Sequence, residues 1–118
     1  MPTREDIAKK HGGSAIEYLP RVAGRVVCAF LRTDPDYNPE APRVILAGRG
    51  PDIEASAQAL IEQRGPIPVY LKRATNDWEY VGDYQVENYT RKPADIRHYE
   101  LTTGRRVTSA IFMRKVER

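Results

Sequence analysis

The residues best suited to chemistry lie in one stretch, Pro68-Val69-Tyr70-Leu71-Lys72-Arg73-Ala74-Thr75-Asn76-Asp77-Trp78-Glu79-Tyr80-Val81-Gly82-Asp83-Tyr84, where bases, aromatics and small polar side chains interleave. Aromatic faces stack on nucleobases or sandwich an extruded one, and Lys72 and Arg73 can meet phosphates. Strict alternation puts Tyr80, Gly82, Tyr84, Val86 and Asn88 on one strand face. That face can equally be core, and Tyr84 is read as core. Trp78, beside a turn and between two acids, is harder to bury and is expected to be an exposed, working aromatic.

Other constellations are thin. His11 and His98 are far apart, and the single cysteine, Cys28, has no CxxC or CxxH partner, so a zinc site is not expected. Ser14, Ser56 and Ser109 lack a G-x-S-x-G elbow, and no Glu-x-Lys or Asp-x-Lys pair of the restriction-nuclease type occurs. Gly48-Arg49-Gly50 is too short for a dinucleotide or phosphate-loop fingerprint. It is either a plain turn or a helix N-terminus able to hold one phosphate. The expectation is a binding module with no catalytic residue, no metal and no cofactor.

Charge supports a polyanionic partner. The net charge of +3 is modest, but its placement is uneven. Residues 1–59 carry eight bases and eight acids, and residues 77–90 carry four acids and no base. Residues 91–118 carry eight bases against three acids, a local excess of 8 − 3 = 5. Such segregation suits a surface facing nucleic acid, although a merely solvated basic end is the alternative. Mean hydropathy of -0.60 and the lack of a ~20-residue apolar run argue against a membrane span. The start, Met1-Pro2-Thr3-Arg4-Glu5-Asp6, is unlike a secretory signal, and a lone cysteine suits a reducing cytoplasm.

The elements that must position these residues can be read in order. With 118 residues the chain is expected to be one domain, an N-terminal extension over 1–23 and a barrel over 24–118. Thr3 with Asp6 three residues on predicts a capped short helix ending before Gly12-Gly13. Strands are predicted over 24–31, 43–47, 67–73, 79–89 and 106–115, with Asn76-Asp77 turning a hairpin. Cys28 lies in the first of these, as a small buried hydrophobe. Residues 32–42, with three prolines, read as a surface loop. Ile53, Ala57, Leu60 and Ile61 form an apolar stripe that predicts a helix over 53–64, capped by Asp52 and stopped by Gly65-Pro66. One or two further helical turns fit 93–100. The sum is an α+β domain of about five strands, one clear helix and short flanking helices, arranged as a closed or half-closed barrel.

Residues 68–73 followed by Trp78-Glu79-Tyr80-Val81-Gly82-Asp83-Tyr84-Gln85-Val86-Glu87-Asn88-Tyr89 resemble the hallmark segment of SRA (YDG) domains. There a P-V-R-V-x-R strand leads to a Y-D-G-x-Y-x-V-x-x-Y strand. Upstream, Val44-Ile45-Leu46-Ala47-Gly48-Arg49-Gly50-Pro51-Asp52 resembles the family's Y-T-G-S-G-G-R-D segment, and Ala110-Ile111-Phe112-Met113-Arg114-Lys115 its closing strand. Val81 stands in place of the acid of the YDG triplet, and Leu46 in place of a stacking tyrosine. The resemblance implies a mixed, PUA-like barrel that flips a modified cytosine (5-methyl- or 5-hydroxymethylcytosine) out of DNA and stacks it between aromatics. It also implies a bacterial modification-dependent restriction setting, often with an HNH nuclease partner. The related ASCH, EVE and YTH families share the barrel and leave an RNA-binding module or small ribonuclease as the alternative. On this reading Tyr37, Trp78 and Tyr80 stack, and Asp36 accepts the exocyclic amine. Arg49, Lys72, Arg73, Arg91 and Lys92 then meet phosphates.

Overall fold

Alternating Val, Ile and Tyr runs broken by Gly and Pro leave the chain few choices other than short strands around a helix. In the computed structural model, residues 3, 6, 7, 10, 18–35, 37–75 and 77–117 are described. Strands β1 (Arg21–Val22) and β2 (Arg25–Val26) form a small antiparallel hairpin. Strands β3 (Ala29–Leu31), β4 (Val44–Ala47), β5 (Ile67–Ala74), β6 (Asp77–Thr90) and β7 (Ser109–Lys115) form a five-stranded sheet of order β3-β5-β6-β7-β4. Only β3 and β5 run parallel; the remaining pairs are antiparallel. Helices α1 (Pro51–Glu62) and α2 (Pro93–Thr103) complete the fold. The predicted α+β architecture is therefore observed, with two corrections. The first predicted strand is split between a hairpin and the sheet, and the second helix has 11 residues rather than one or two turns.

The helix ends follow from local chemistry. Asp52 does not cap α1 as expected: Gly50 occupies the N-cap and Pro51 the first helical position. Proline fits there because its fixed φ suits the helix and its missing N–H would be unpaired anyway. The Gly50 N–H donates instead to the carboxylate of Glu54, four residues on, at 3.0 Å to Oε2. Helix α2 starts with Pro93 and stops at Gly104, whose φ of 69° is the left-handed conformation that residue tolerates. At the N-terminus the predicted box is complete: Asp6 N–H donates to Thr3 Oγ1 at 3.2 Å and Thr3 N–H to Asp6 Oδ2 at 3.3 Å.

Three apolar clusters hold the layers together. On one face of the sheet, Ala57 and Leu60 of α1 pack with Leu31, Ile45, Val69, Tyr84 and Ile111. On the opposite face of β3 and β5, Phe30, Tyr70 and Trp78 pack with Cys28 and with Ile7 of the N-terminal turn. Helix α2 covers the other side of β4 and β7 through Ile96, against Val44, Leu46, Val107 and Ala110. No helix among the described residues is long and apolar enough to cross a membrane.

Strand β6 has 14 residues and pairs with β5 in its first half and β7 in its second. The register shifts between Val69 and Tyr70, which face Gly82 and Tyr80, so Val81 is an extra residue on β6. Such a bulge bends the strand and reverses the facing of what precedes it. Tyr80 therefore lies opposite Tyr70, ring centroids 5.7 Å apart, while Tyr84 lies opposite Ile67 in the first cluster. The expected shared face of Tyr80 and Tyr84 is corrected; the core reading of Tyr84 agrees with its burial.

Gly82 follows the bulge with φ 131°, and a Cβ there would sit 2.8 Å from Lys115 Cε. Gly82→Ala is expected to lower stability by ~1–3 kcal/mol in urea unfolding. Adding Lys115→Ala relieves the contact but not the φ, so the double variant should recover only part of the loss.

Candidate nucleic-acid interface

Strands β3 and β4 are the two edges of the sheet, and the chain between them is the proline-rich loop 32–43. A cavity of about 460 Å³ opens at this seam, within the usual range for small-ligand sites. Its walls come from seven places in the sequence. Phe30 and Arg32 lead out of β3, Tyr37 and Asn38 come from the loop, and Leu46 and Gly48 from the end of β4. Asp52, Ile53 and Ser56 belong to the first turns of α1, Lys72, Thr75 and Trp78 to the β5–β6 hairpin, and Tyr18 and Arg105 complete the lining.

The aromatic wall is partly committed to packing. Trp78 is only 4% exposed, and its ring meets Phe30 edge-on with centroids 5.3 Å apart. The expectation of an exposed Trp78 is thus corrected. Cross-strand pairing with Lys72 turns Trp78 toward Phe30 and Tyr70, where its large apolar ring is sheltered, and it still lines the cavity. Tyr37 carries two cations on its ring, Arg32 at 4.2 Å and Arg105 at 4.3 Å from the centroid. These cation–π contacts hold the loop and the segment after α2 on one aromatic group. Tyr18 donates its hydroxyl to Ile53 O at 3.1 Å, and burial pushes its pKa well above the ordinary tyrosine range.

The polar lining is richer in donors than in acceptors. Arg32, Lys72 and Arg105 contribute positive charge and Asp52 one negative. Arg32 is shared with Asp34, its Nε donating at 2.8 Å to Oδ2. Asn38 is buried and its Oδ1 accepts the Leu46 N–H at 2.8 Å. Ser56 is buried as well. Among the described residues no group of three His, Cys, Asp or Glu gathers as a metal site.

The residues singled out from sequence are only partly brought together. Tyr37, Lys72 and Trp78 line the cavity, whereas Asp36 lies outside the described residues. Arg73 borders a smaller neighbouring recess with Lys72 and is ion-paired to Glu79 at 2.6 Å. Tyr80 is 49% exposed on the sheet's outer face, donating its hydroxyl to Asp83 Oδ1 at 2.7 Å. Arg49 is exposed on the turn before α1, outside the cavity lining. Arg91 reaches Gln58 and the Tyr89 ring and lines a separate groove along α2, and Lys92 is the N-cap of that helix. Sequence reasoning missed Arg32, Asn38, Ser56 and Arg105. The basic pair Arg105-Arg106 and the loop between the prolines were visible signals, but nothing local shows that they meet.

No protein-family model matches this sequence, and no curated protein matches it. Among solved structures, it is similar to the SUVH5 SRA domain, crystallised with hemimethylated CG DNA. The likeness has a TM-score of 0.66 at 14% identity and covers 100% of this chain and 86% of that one. The chain therefore has the SRA fold, in a shortened form.

Two outcomes test this geometry. Trp78→Ala is expected to cost ~3–5 kcal/mol in chemical unfolding, as for a core aromatic. For Tyr18 the sign is set by its raised pKa: the folded protein keeps the hydroxyl neutral, while the unfolded chain ionises it above pH ~10. Stability is therefore unaffected below that pH and falls above it, by up to ~1.4 kcal/mol per pH unit from this group. Tyr18→Phe should flatten that alkaline decline in a pH series of urea melts.

Proposed function

We propose that this SRA-like domain is a DNA-binding module that draws one base, a modified cytosine, out of the duplex and into the seam cavity. The observation that carries the reading is the cavity itself, whose volume is about 460 Å³. It has room for a single nucleobase, and aromatic rings and three cationic side chains stand among the described residues of its wall. Extruding a base costs a few kcal/mol, which stacking at ~1–3 kcal/mol per base and hydrogen bonds to its edge can offset. The DNA held by the SUVH5 SRA domain of the same fold supports the choice of partner. Among the flanking bases, Lys72 and Arg105 are the ones placed to meet phosphates beside the extruded nucleotide. Tyr80 and the Tyr70 ring beneath it give the outer face a second aromatic surface next to Lys72.

A fluorescence-anisotropy panel tests the proposal with duplexes carrying cytosine, 5-methylcytosine or 5-hydroxymethylcytosine at one site, and with RNA of matched sequence. Tighter binding to a modified duplex is expected; equal, weak binding to every probe would leave only non-specific charge. Affinity should also fall steeply with salt, and Lys72→Ala with Arg105→Ala should shallow the log–log slope by about 2. An unchanged slope would remove these two residues from the phosphate contacts.

A further inference from the structure

Asn38 sits where loop, strand edge and cavity meet, and its backbone groups and side-chain oxygen are already hydrogen-bonded. Its N–H donates to Arg32 O at 3.0 Å and its carbonyl accepts the Ala41 N–H at 3.1 Å. Its side-chain oxygen accepts the Leu46 N–H at 2.8 Å, on the edge strand β4 that has no neighbour on that side. A backbone N–H can only donate, so this bond fixes which end of the amide is oxygen and leaves Nδ2 on the other side. Nδ2 makes no hydrogen bond among the described residues. Nor is it sealed in, since the buried side-chain polar atom found without a partner there is Asp77 Oδ1. Asn38 is 8% exposed and lines the cavity, so what remains accessible of it lies at the cavity wall, where its backbone and Oδ1 hydrogen bonds hold it.

Resting on the base-extrusion reading above, we infer that Asn38 is the residue that reads the edge of the extruded base, and that it reads as a donor. The pocket then selects a pyrimidine whose ring N3 is unprotonated, the cytosine type, against one that carries N3–H, the thymine and uracil type. Cytosine N3 accepts a hydrogen bond. Thymine N3–H would face Asn38 donor to donor, leaving two polar groups desolvated and unpaired. The O2 atom is common to both pyrimidines and cannot discriminate, and a 5-methyl group is common to thymine and 5-methylcytosine. Among the described residues of the cavity wall Asp52 is the acidic one, and it supplies the acceptor character that a 4-amino group needs. An acid would read this edge from the amine; here the amide reads it from the ring nitrogen.

The test uses the full chain and duplexes holding 5-methylcytosine, thymine or 3-deaza-5-methylcytosine opposite an abasic site, which removes base pairing from the comparison. Wild-type protein is expected to favour 5-methylcytosine over both other bases by about tenfold or more. Asn38→Asp keeps an oxygen toward the Leu46 N–H and replaces the donor with an acceptor. It should reverse the preference toward thymine with little change in melting temperature. Wild-type binding that is indifferent to 3-deaza substitution, or an Asn38→Asp variant that is folded and keeps the wild-type order, overturns the inference while leaving base extrusion standing. Wild-type binding that is equal for all three bases and for an unmodified duplex overturns base extrusion and this inference together.

Discussion

The packing of α1 against one face of the sheet is the constraint from which the site follows. The helix has 12 residues, about 18 Å of length, and its apolar stripe must be buried against β-strands on a single side. A five-stranded sheet that curls around such a helix has both of its edges, β3 and β4, left unpaired with each other. The opening between them needs a cover, because unpaired strand edges and exposed apolar side chains are both unfavourable. The loop after β3 supplies it. Asn38 satisfies a β4 edge group, and Tyr37 holds Arg32 and Arg105 against the cover. The cavity is what remains beneath a cover that spans the gap without filling it.

The fold was legible in the sequence to the extent that periodicity is local. The apolar stripe of α1 and the Val- and Ile-rich strands announce themselves within a few residues, and the helix found at 51–62 lies close to the 53–64 expected. What alternation could not show was the bulge at Val81, because an extra residue leaves no trace in composition. It turns Tyr80 away from Tyr84, and so it separates two aromatics that strict period-two reading keeps together. The capping of α1 was misread for a related reason: Asp52 is a good cap by type, but Pro51 had already settled where the helix begins.

The site was less legible than the fold, because its members come from distant parts of the chain. The hairpin stretch was identifiable from residue types alone, and Lys72 and Trp78 do line the cavity. Trp78 reads as exposed because the local sequence shows its flanking acids and not its packing partners, Phe30 and Tyr70. Within the charge surplus of residues 91–118, Arg91 and Lys92 stand just before α2 and outside the cavity lining, while Arg105 reaches the cavity. Net charge per segment thus marks a basic stretch of the chain without resolving which cations share a place.

The parallel pairing of β3 with β5 carries a consequence for how the protein assembles. Strands β5 and β6 are separated by two residues, and β7 follows after one helix, so this meander is built from contacts close in sequence. Strand β3 joins it only by closing a loop that contains the flap, β4 and all of α1. Loop closure of that span is entropically late in a folding reaction. The recess is therefore among the last features to appear, and a nascent or partly folded chain has the hairpin's aromatics and cations without any chamber to hold a guest. The recess is a property of the finished topology rather than of its most conspicuous segment.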